Sequence, residues 1–217
     1  MKKSTNSEPE HLALSKLKWS IDSNIKTPQI NKNEVNYIDS LIKLAENNFN
    51  KKYSSILDIP CGTGRLHDFL RSRGYEVYGV DLNKHFIKEA KKTQKNPENY
   101  YVGNMKNFNL RKKFDVILSW FTSFGYLDEK ENSSTLRNFS KHLNKNGLII
   151  IDVKNSDCKT ESTFPFCNEY GNFLRMTKVY NENRNNKTYS IFDFSLYKKS
   201  GKNLMFLKKS KIPIRSY

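Results

Sequence analysis

The chain has 217 residues, 36% hydrophobic and 28% charged, and 38 Lys+Arg against 22 Asp+Glu give a formal net charge of +16. That length suits one ordinary domain with enough apolar side chains to bury a core, which excludes a disordered chain and a disulfide-stapled miniature. No apolar run approaches the ~18 residues of a membrane span, and Cys61, Cys158 and Cys167 form no closely spaced pair of the zinc or redox kind, so the reading is a soluble, cytoplasmic protein with reduced thiols and no metal. The positive excess is mostly lysine in an asparagine-rich chain and concentrates in no tail. A solvated basic surface accounts for it, with a nucleic-acid footprint as the alternative.

Residues 1–33 read as a polar start punctuated by Pro9 and Pro28, with a short amphipathic docking helix over 11–21. From Glu34, Val35, Ile38, Leu41, Ile42 and Ala45 recur at helical spacing up to Asn47 and Asn48. The period then changes. Residues 55–59 form a short apolar strand that runs through Pro60 and glycines into a helix over 65–73, which stops at Gly74. A second strand covers 76–81, a helix 86–92, a third strand 100–102, a fourth 114–119, a helix 132–143 and a fifth strand 148–153. Strands alternating with helices describe a Rossmann-like α/β sheet with helices on both faces over 34–153. The near-continuous apolar strands agree with parallel pairing. Residues 154–217 read differently: three strands at 172–180, 187–197 and 203–212 form an antiparallel β appendage, a packed meander that also edges or lids the site.

The chemistry concentrates where the first strand turns into its helix. Asp58-Ile59-Pro60-Cys61-Gly62-Thr63-Gly64 lies where an open α/β sheet binds its ligand; small residues admit close backbone approach, and the helix start offers free N–H groups. Asp58 either fixes the loop or accepts from an ammonium group. Cys61 reads as a small apolar filler. Asp81, ending the second strand, can take both hydroxyls of a ribose. Together these describe a nucleoside cofactor across the first two strand ends. A dinucleotide site would need a third glycine at Leu66-His67, and none is there. Tyr126 and Lys130 reproduce a Tyr-x-x-x-Lys spacing without the glycine turn that accompanies it in short-chain dehydrogenases.

On these residues, and on Ser119-Trp120-Phe121-Thr122-Ser123-Phe124-Gly125-Tyr126, the chain from 56 to 153 resembles the class I S-adenosylmethionine-dependent methyltransferases, in particular a branch of small prokaryotic ones. The resemblance implies S-adenosyl-L-methionine as cofactor, with Gly62, Gly64 and Cys61 in the loop against its methionine part and Asp58 and Ser119 beside it. It further implies Asp81 on the ribose hydroxyls, and Leu82, Asn104 and Met105 around adenine. Pro60 stands where the family often has glycine, and Asn104 where it commonly has Asp, so adenine would be met by an uncharged acceptor. The segment after the fourth strand lacks the Asn/Asp-Pro-Pro-aromatic turn of methyltransferases acting on planar amino groups. No cysteine lies between Cys61 and Cys158 for pyrimidine C5 chemistry. Direct in-line displacement onto a small-molecule acceptor remains, with Trp120, Phe121, Phe124 and Tyr126 as candidate pocket walls and no general base singled out. His67, His85 and His142 read as surface or capping residues. RNA is the alternative acceptor, and a cofactor-binding module of little activity the alternative function. The resemblance also implies one more helix and two strands beside the fifth strand, so truncation, or a second chain completing that sheet edge, is a further expectation.

Overall fold

A computed structural model describes residues 27–157, 162 and 164–217. The expected docking helix over 11–21 and Cys158 lie outside these residues. The chain divides into two compact units, one ending at Val153 and the other running from Lys154 to Tyr217.

The first unit opens with α1 (Pro28–Phe49). The sequence reading started this helix at Glu34 because Pro28 looked like punctuation. Proline instead sits in the first turn, where its missing N–H costs nothing, and the Thr27 side chain accepts from the Ile30 N–H as the cap. Strands β1 (Ser55–Asp58), β2 (Glu76–Asp81), β3 (Tyr100–Val102), β4 (Phe114–Ser119) and β5 (Leu143–Ile151) alternate with α2 (His67–Arg71), α3 (Lys84–Thr93) and α4 (Glu129–Lys141). The strands pair in parallel in the order β3-β2-β1-β4-β5. That order reverses between β1 and β4, which opens a crevice at the C-terminal strand ends. All four β1 and all six β4 residues are buried, as central parallel strands require.

One face of the sheet packs Ile56, Val77, Val116 and Leu118 against Val35, Ile38 and Ile42 of α1 and Leu70 of α2. The other packs Leu57, Val80 and Ile117 against Phe139 of α4 and Phe108. At the opposite strand ends Asp115 accepts from both backbone and hydroxyl groups of Ser54 and Ser55 and from the Asn144 amide, which ties β1, β4 and β5 together. Burial alone would raise its carboxyl, but those donors hold it well below the ordinary carboxylate range. Strand β5 begins at Leu143, five residues before the expected start, because its first turn pairs with β4 across a bulge. Among the described residues its one sheet neighbour is β4.

The second unit holds an antiparallel sheet of four strands, β6 (Phe166–Tyr170), β7 (Phe173–Arg184), β8 (Lys187–Ser200) and β9 (Asn203–Arg215), each paired with the next. The expected meander is present with longer strands and with β6 added. Thr177 and Val179 on β7, and Phe194 and Leu196 on β8, are buried in alternation with more exposed residues, and Ile191 is buried as well.

Candidate functional site

The loop from Asp58 to Leu66 leaves the C-terminal end of β1 and closes on the end of β2. Gly62 and Gly64 both take left-handed backbone, φ +57° and +79°. The Gly62 N–H donates to Asp81 Oδ2 at 2.9 Å, and Asp81 Oδ1 accepts from the Asn83 N–H at 2.7 Å. Asp81 is 7% exposed, and burial, opposed by those two N–H groups and helped by the charge of Asp58, pushes its carboxyl up to about 6.

That value gives a pH prediction with two opposite signs. The folded-state pKa exceeds the unfolded 3.8, so Asp81 stabilises the free protein below that unfolded value, and this contribution fades as pH rises through about 6. A ligand donating hydroxyls to the carboxylate prefers the ionised form. Its affinity should rise over the same interval, and unfolding and calorimetric titrations between about pH 4 and pH 6.5 should show the two trends diverging.

Behind the loop lies a buried chain of hydrogen bonds. His67, completely buried, has Nδ1 2.5 Å from the Tyr100 hydroxyl and Nε2 3.0 Å from Asp58 Oδ2. Arg71 donates to the same Tyr100 oxygen at 3.0 Å and to Gln94 Oε1 at 3.1 Å, while the Gln94 amide donates to the Thr63 carbonyl. Arginine can only donate and an ionised carboxylate only accept, so Nε2 of His67 carries the proton that faces Asp58, and a neutral ring then takes the Tyr100 proton at Nδ1. This corrects the reading of His67 as a surface or capping residue. His142 is likewise buried, with its ring 4.2 Å from that of Phe108, Nδ1 on the Asn138 carbonyl and Nε2 accepting from the Leu110 N–H. His85 does sit in the first turn of α3, its N–H bound by Asn83.

Two buried polar atoms at neighbouring strand ends have no partner: Asp58 Oδ1 and Ser119 Oγ. Cys61 is buried, and burial, reinforced by Asp81 and Asp58, pushes its thiol well up, so it fills space and is no nucleophile. Leu82 is exposed beside Asp81. Asn104 Oδ1 accepts from the Lys106 N–H, and Met105 packs partly against the second core face.

The segment after β4 is unusual in its backbone. Phe121 and Thr122 are consecutive non-glycine residues in left-handed conformation, φ 63° and 59°, and the Thr122 N–H donates to Asp152 Oδ2. Phe121 is 52% and Tyr126 39% exposed, Phe124 is buried, and Trp120 is half-buried against the α1 side of the core. The expected wall thus splits into two exposed aromatics and two largely packed ones. Sequence reasoning missed what α1 contributes. Arg65 donates to Asn31 Oδ1 at 2.6 Å and to Glu34 Oε2 at 2.8 Å, and the Trp120 indole N–H reaches that same Glu34 oxygen at 3.1 Å. The Arg65 guanidinium lies 5.7 Å from the Phe121 ring.

Residues 56–147 match the family model described as a methyltransferase domain. A curated relative from Streptomyces venezuelae, a dTDP-3-amino-3,4,6-trideoxy-alpha-D-glucopyranose N,N-dimethyltransferase, is 32% identical over 46% of this chain and 42% of its own length. An uncharacterised methyltransferase of Bacillus cytotoxicus is 29% identical over 50% of the chain and 51% of its own length. The chain thus matches about half the length of these curated relatives. Among solved structures, that of Streptomyces venezuelae DesVI superimposes with a TM-score of 0.69 at 19% identity, covering 97% of this chain and 86% of that one. The sheet order and these matches define the fold: the first unit has the class I methyltransferase architecture, and residues 56–147 within it match the methyltransferase domain.

Among the described residues no helix is long and apolar enough to cross a membrane.

Proposed function

We propose that the protein binds S-adenosyl-L-methionine across the ends of β1, β2 and β4 and transfers its methyl group to an amino group of a small polyhydroxylated acceptor in the cytoplasm. The observation that carries this reading is the pair of orphaned polar atoms, Asp58 Oδ1 and Ser119 Oγ, next to a glycine turn pinned to Asp81. A buried carboxylate oxygen without a donor is costly, and an ammonium group supplies one. The cofactor's amino-acid end fits there. Asp81 retains a second lone pair on each oxygen for ribose hydroxyls, the exposed Leu82 flanks adenine, and Asn104 and Met105 face it from the β3 loop. Space beyond Gly62 is open, since a Cβ built there meets nothing within 4 Å.

The cofactor supplies a methyl group on a sulfonium. The chain's part is orientation. Asp58, held by His67, and Ser119 fix one end, Asp81 the other, and the strained Phe121-Thr122 turn, with Trp120 and Tyr126, sets the acceptor against the reacting carbon. An amine acceptor sheds its proton to solvent, which suits a site without an evident base. The sugar N,N-dimethyltransferase relative supports an amino-sugar acceptor.

Methyl transfer from labelled cofactor to a panel of amino sugars and their nucleotide-linked forms tests this reading. Transfer to none of them, with transfer to RNA instead, would replace it by the RNA reading that the +16 charge favours. Asp81→Ala removes the proposed ribose acceptor and also frees the Gly62 N–H. S-adenosylhomocysteine affinity should fall by about 2–3 kcal/mol in calorimetry, and equal affinity would refute the ribose assignment. Among the described residues β5 has β4 as its one sheet neighbour, which favours a second chain as partner; a monomeric mass by light scattering would remove that proposal.

A further inference from the structure

A second concave site lies on the α4 side of the sheet, formed by the connection between β3 and β4 and the C-terminal half of α4. Its cavity of about 590 Å³ is lined by Lys106, Arg111, Lys112, Lys113, Arg137 and Lys141, together with Asn and Ser side chains, and no carboxylate lines it. Lys113 immediately precedes β4 and Lys141 ends α4 just before β5. The cavity therefore reaches the N-terminal strand ends, opposite the Asp58–Gly64 loop.

Two of the six cations are answered by acids: Lys106 pairs with Glu131 at 2.6 Å and Lys112 with Glu76 at 3.2 Å. Arg111, Lys113, Arg137 and Lys141 are exposed and have no carboxylate partner among the described residues. Four like charges around one hollow repel, and an anion seated between them relieves that repulsion. The floor beneath them is rigid. His142 stacks on Phe108, and the Asn138 amide donates to the Met105 and Phe108 carbonyls. A fixed floor lowers the ordering cost of binding.

We infer that this cleft binds a compact phosphate-bearing anion, of the inorganic oligophosphate or nucleotide-phosphate kind, at a site separate from the methyl-transfer site. The volume suits a small ligand rather than a nucleic-acid track. The one Phe, Tyr or Trp side chain in the lining, Phe108, is 6% exposed, so the cleft offers no platform on which successive bases would stack. Arginine forks and lysine points at Arg111, Arg137, Lys113 and Lys141 match phosphate oxygens. The inference does not rest on the methyltransferase reading.

Calorimetric titration of the whole chain with inorganic tripolyphosphate at low salt is the test. One equivalent should bind, and the double variant Arg111→Gln/Arg137→Gln should weaken that binding about tenfold or more. The charge-matched double Lys198→Gln/Lys202→Gln, on the β8–β9 hairpin, should leave it within about twofold. If the arginine pair does not give a cooperative thermal transition, Lys113→Gln/Lys141→Gln serves in its place. S-adenosylhomocysteine affinity should be unchanged in these variants, which separates this result from failure of the cofactor reading. No binding of tripolyphosphate, or equal weakening in the cleft and hairpin doubles, would overturn the inference. So would bulk tRNA that displaces tripolyphosphate, binds more tightly and shows the same sensitivity to the arginine pair.

Discussion

Replacing His67 by alanine should lower the unfolding free energy by about 3–5 kcal/mol and reduce S-adenosylhomocysteine affinity far more than any change at the protein surface. His67 is completely buried and joins two groups that have no water to fall back on. Removing the imidazole empties a dry space, strands the proton of the Tyr100 hydroxyl and leaves both oxygens of Asp58 without a donor, one of them being without one already. Removing the donor that faces a buried carboxylate is among the costliest single changes a protein meets. Tyr100→Phe is the milder companion, since it removes one hydroxyl and leaves the ring in place, and about 1–2 kcal/mol is expected. Because the two side chains share a hydrogen bond, the double variant should cost less than the sum. Urea unfolding of the four proteins measures this directly. A loss under about 1 kcal/mol for His67→Ala, or strict additivity with Tyr100→Phe, would show that the chain from Arg71 to Asp58 does not hold the loop.

The importance of His67 was hidden from the sequence for a reason of range. Its partners lie nine residues upstream and 33 downstream, so no local pattern marks it. In a short helix read over 65–73, a lone histidine looks like surface. One signal was available: His67 and Arg71 are four apart and so share a face of the helix, and buried Leu70 lies three positions after His67. The same blindness applied to Glu34, whereas His142 caps α4 as read, with the burial of its ring added. Glu34 is bound by Arg65 and by Trp120, 31 and 86 residues away. By contrast the parallel sheet was readable almost strand for strand. Central strands buried on both faces leave continuous apolar runs, and each run ends at the polar or glycine residue that turns the chain. The appendage was legible as antiparallel but one strand short, since β6 has five residues, follows Pro165 and has β7 as its one neighbour.

The site residues divide in the same way. Asp58, Gly62, Gly64 and Asp81 could be picked out because strand ends and glycine turns are local features. What each does depends on the network behind them. Asp58 was read as either a loop clamp or an ammonium acceptor, and its two oxygens take different parts: Oδ2 faces His67, while Oδ1 is buried without a donor. Phe121 and Thr122 belong to a segment chosen for its aromatics, yet their left-handed backbone could not be foreseen from residue types that avoid it.

The two loop glycines should respond in opposite ways to the same methyl group. At Gly64 the backbone is left-handed, and a Cβ would lie 2.9 Å from the Tyr100 oxygen, 3.1 Å from Gln94 Cδ and 3.2 Å from His67 Nδ1. None of these can move aside cheaply, because His67, Tyr100, Arg71 and Gln94 are bound to one another and to the loop. Gly64→Ala should therefore destabilise the protein by about 2–4 kcal/mol, from left-handed strain and overpacking together. At Gly62 the backbone is also left-handed, but the new methyl meets nothing within 4 Å. Gly62→Ala should cost only about 1 kcal/mol of stability. Its methyl, however, projects into the open space assigned to the cofactor, so S-adenosylhomocysteine affinity should fall about tenfold or more while the thermal transition stays near that of wild type. Calorimetry and thermal unfolding on both variants separate folding from binding. A Gly62→Ala protein that binds S-adenosylhomocysteine as wild type does would move the cofactor away from this loop, and a Gly64→Ala protein of unchanged stability would show that the His67–Tyr100–Arg71 cluster is looser than its hydrogen bonds require.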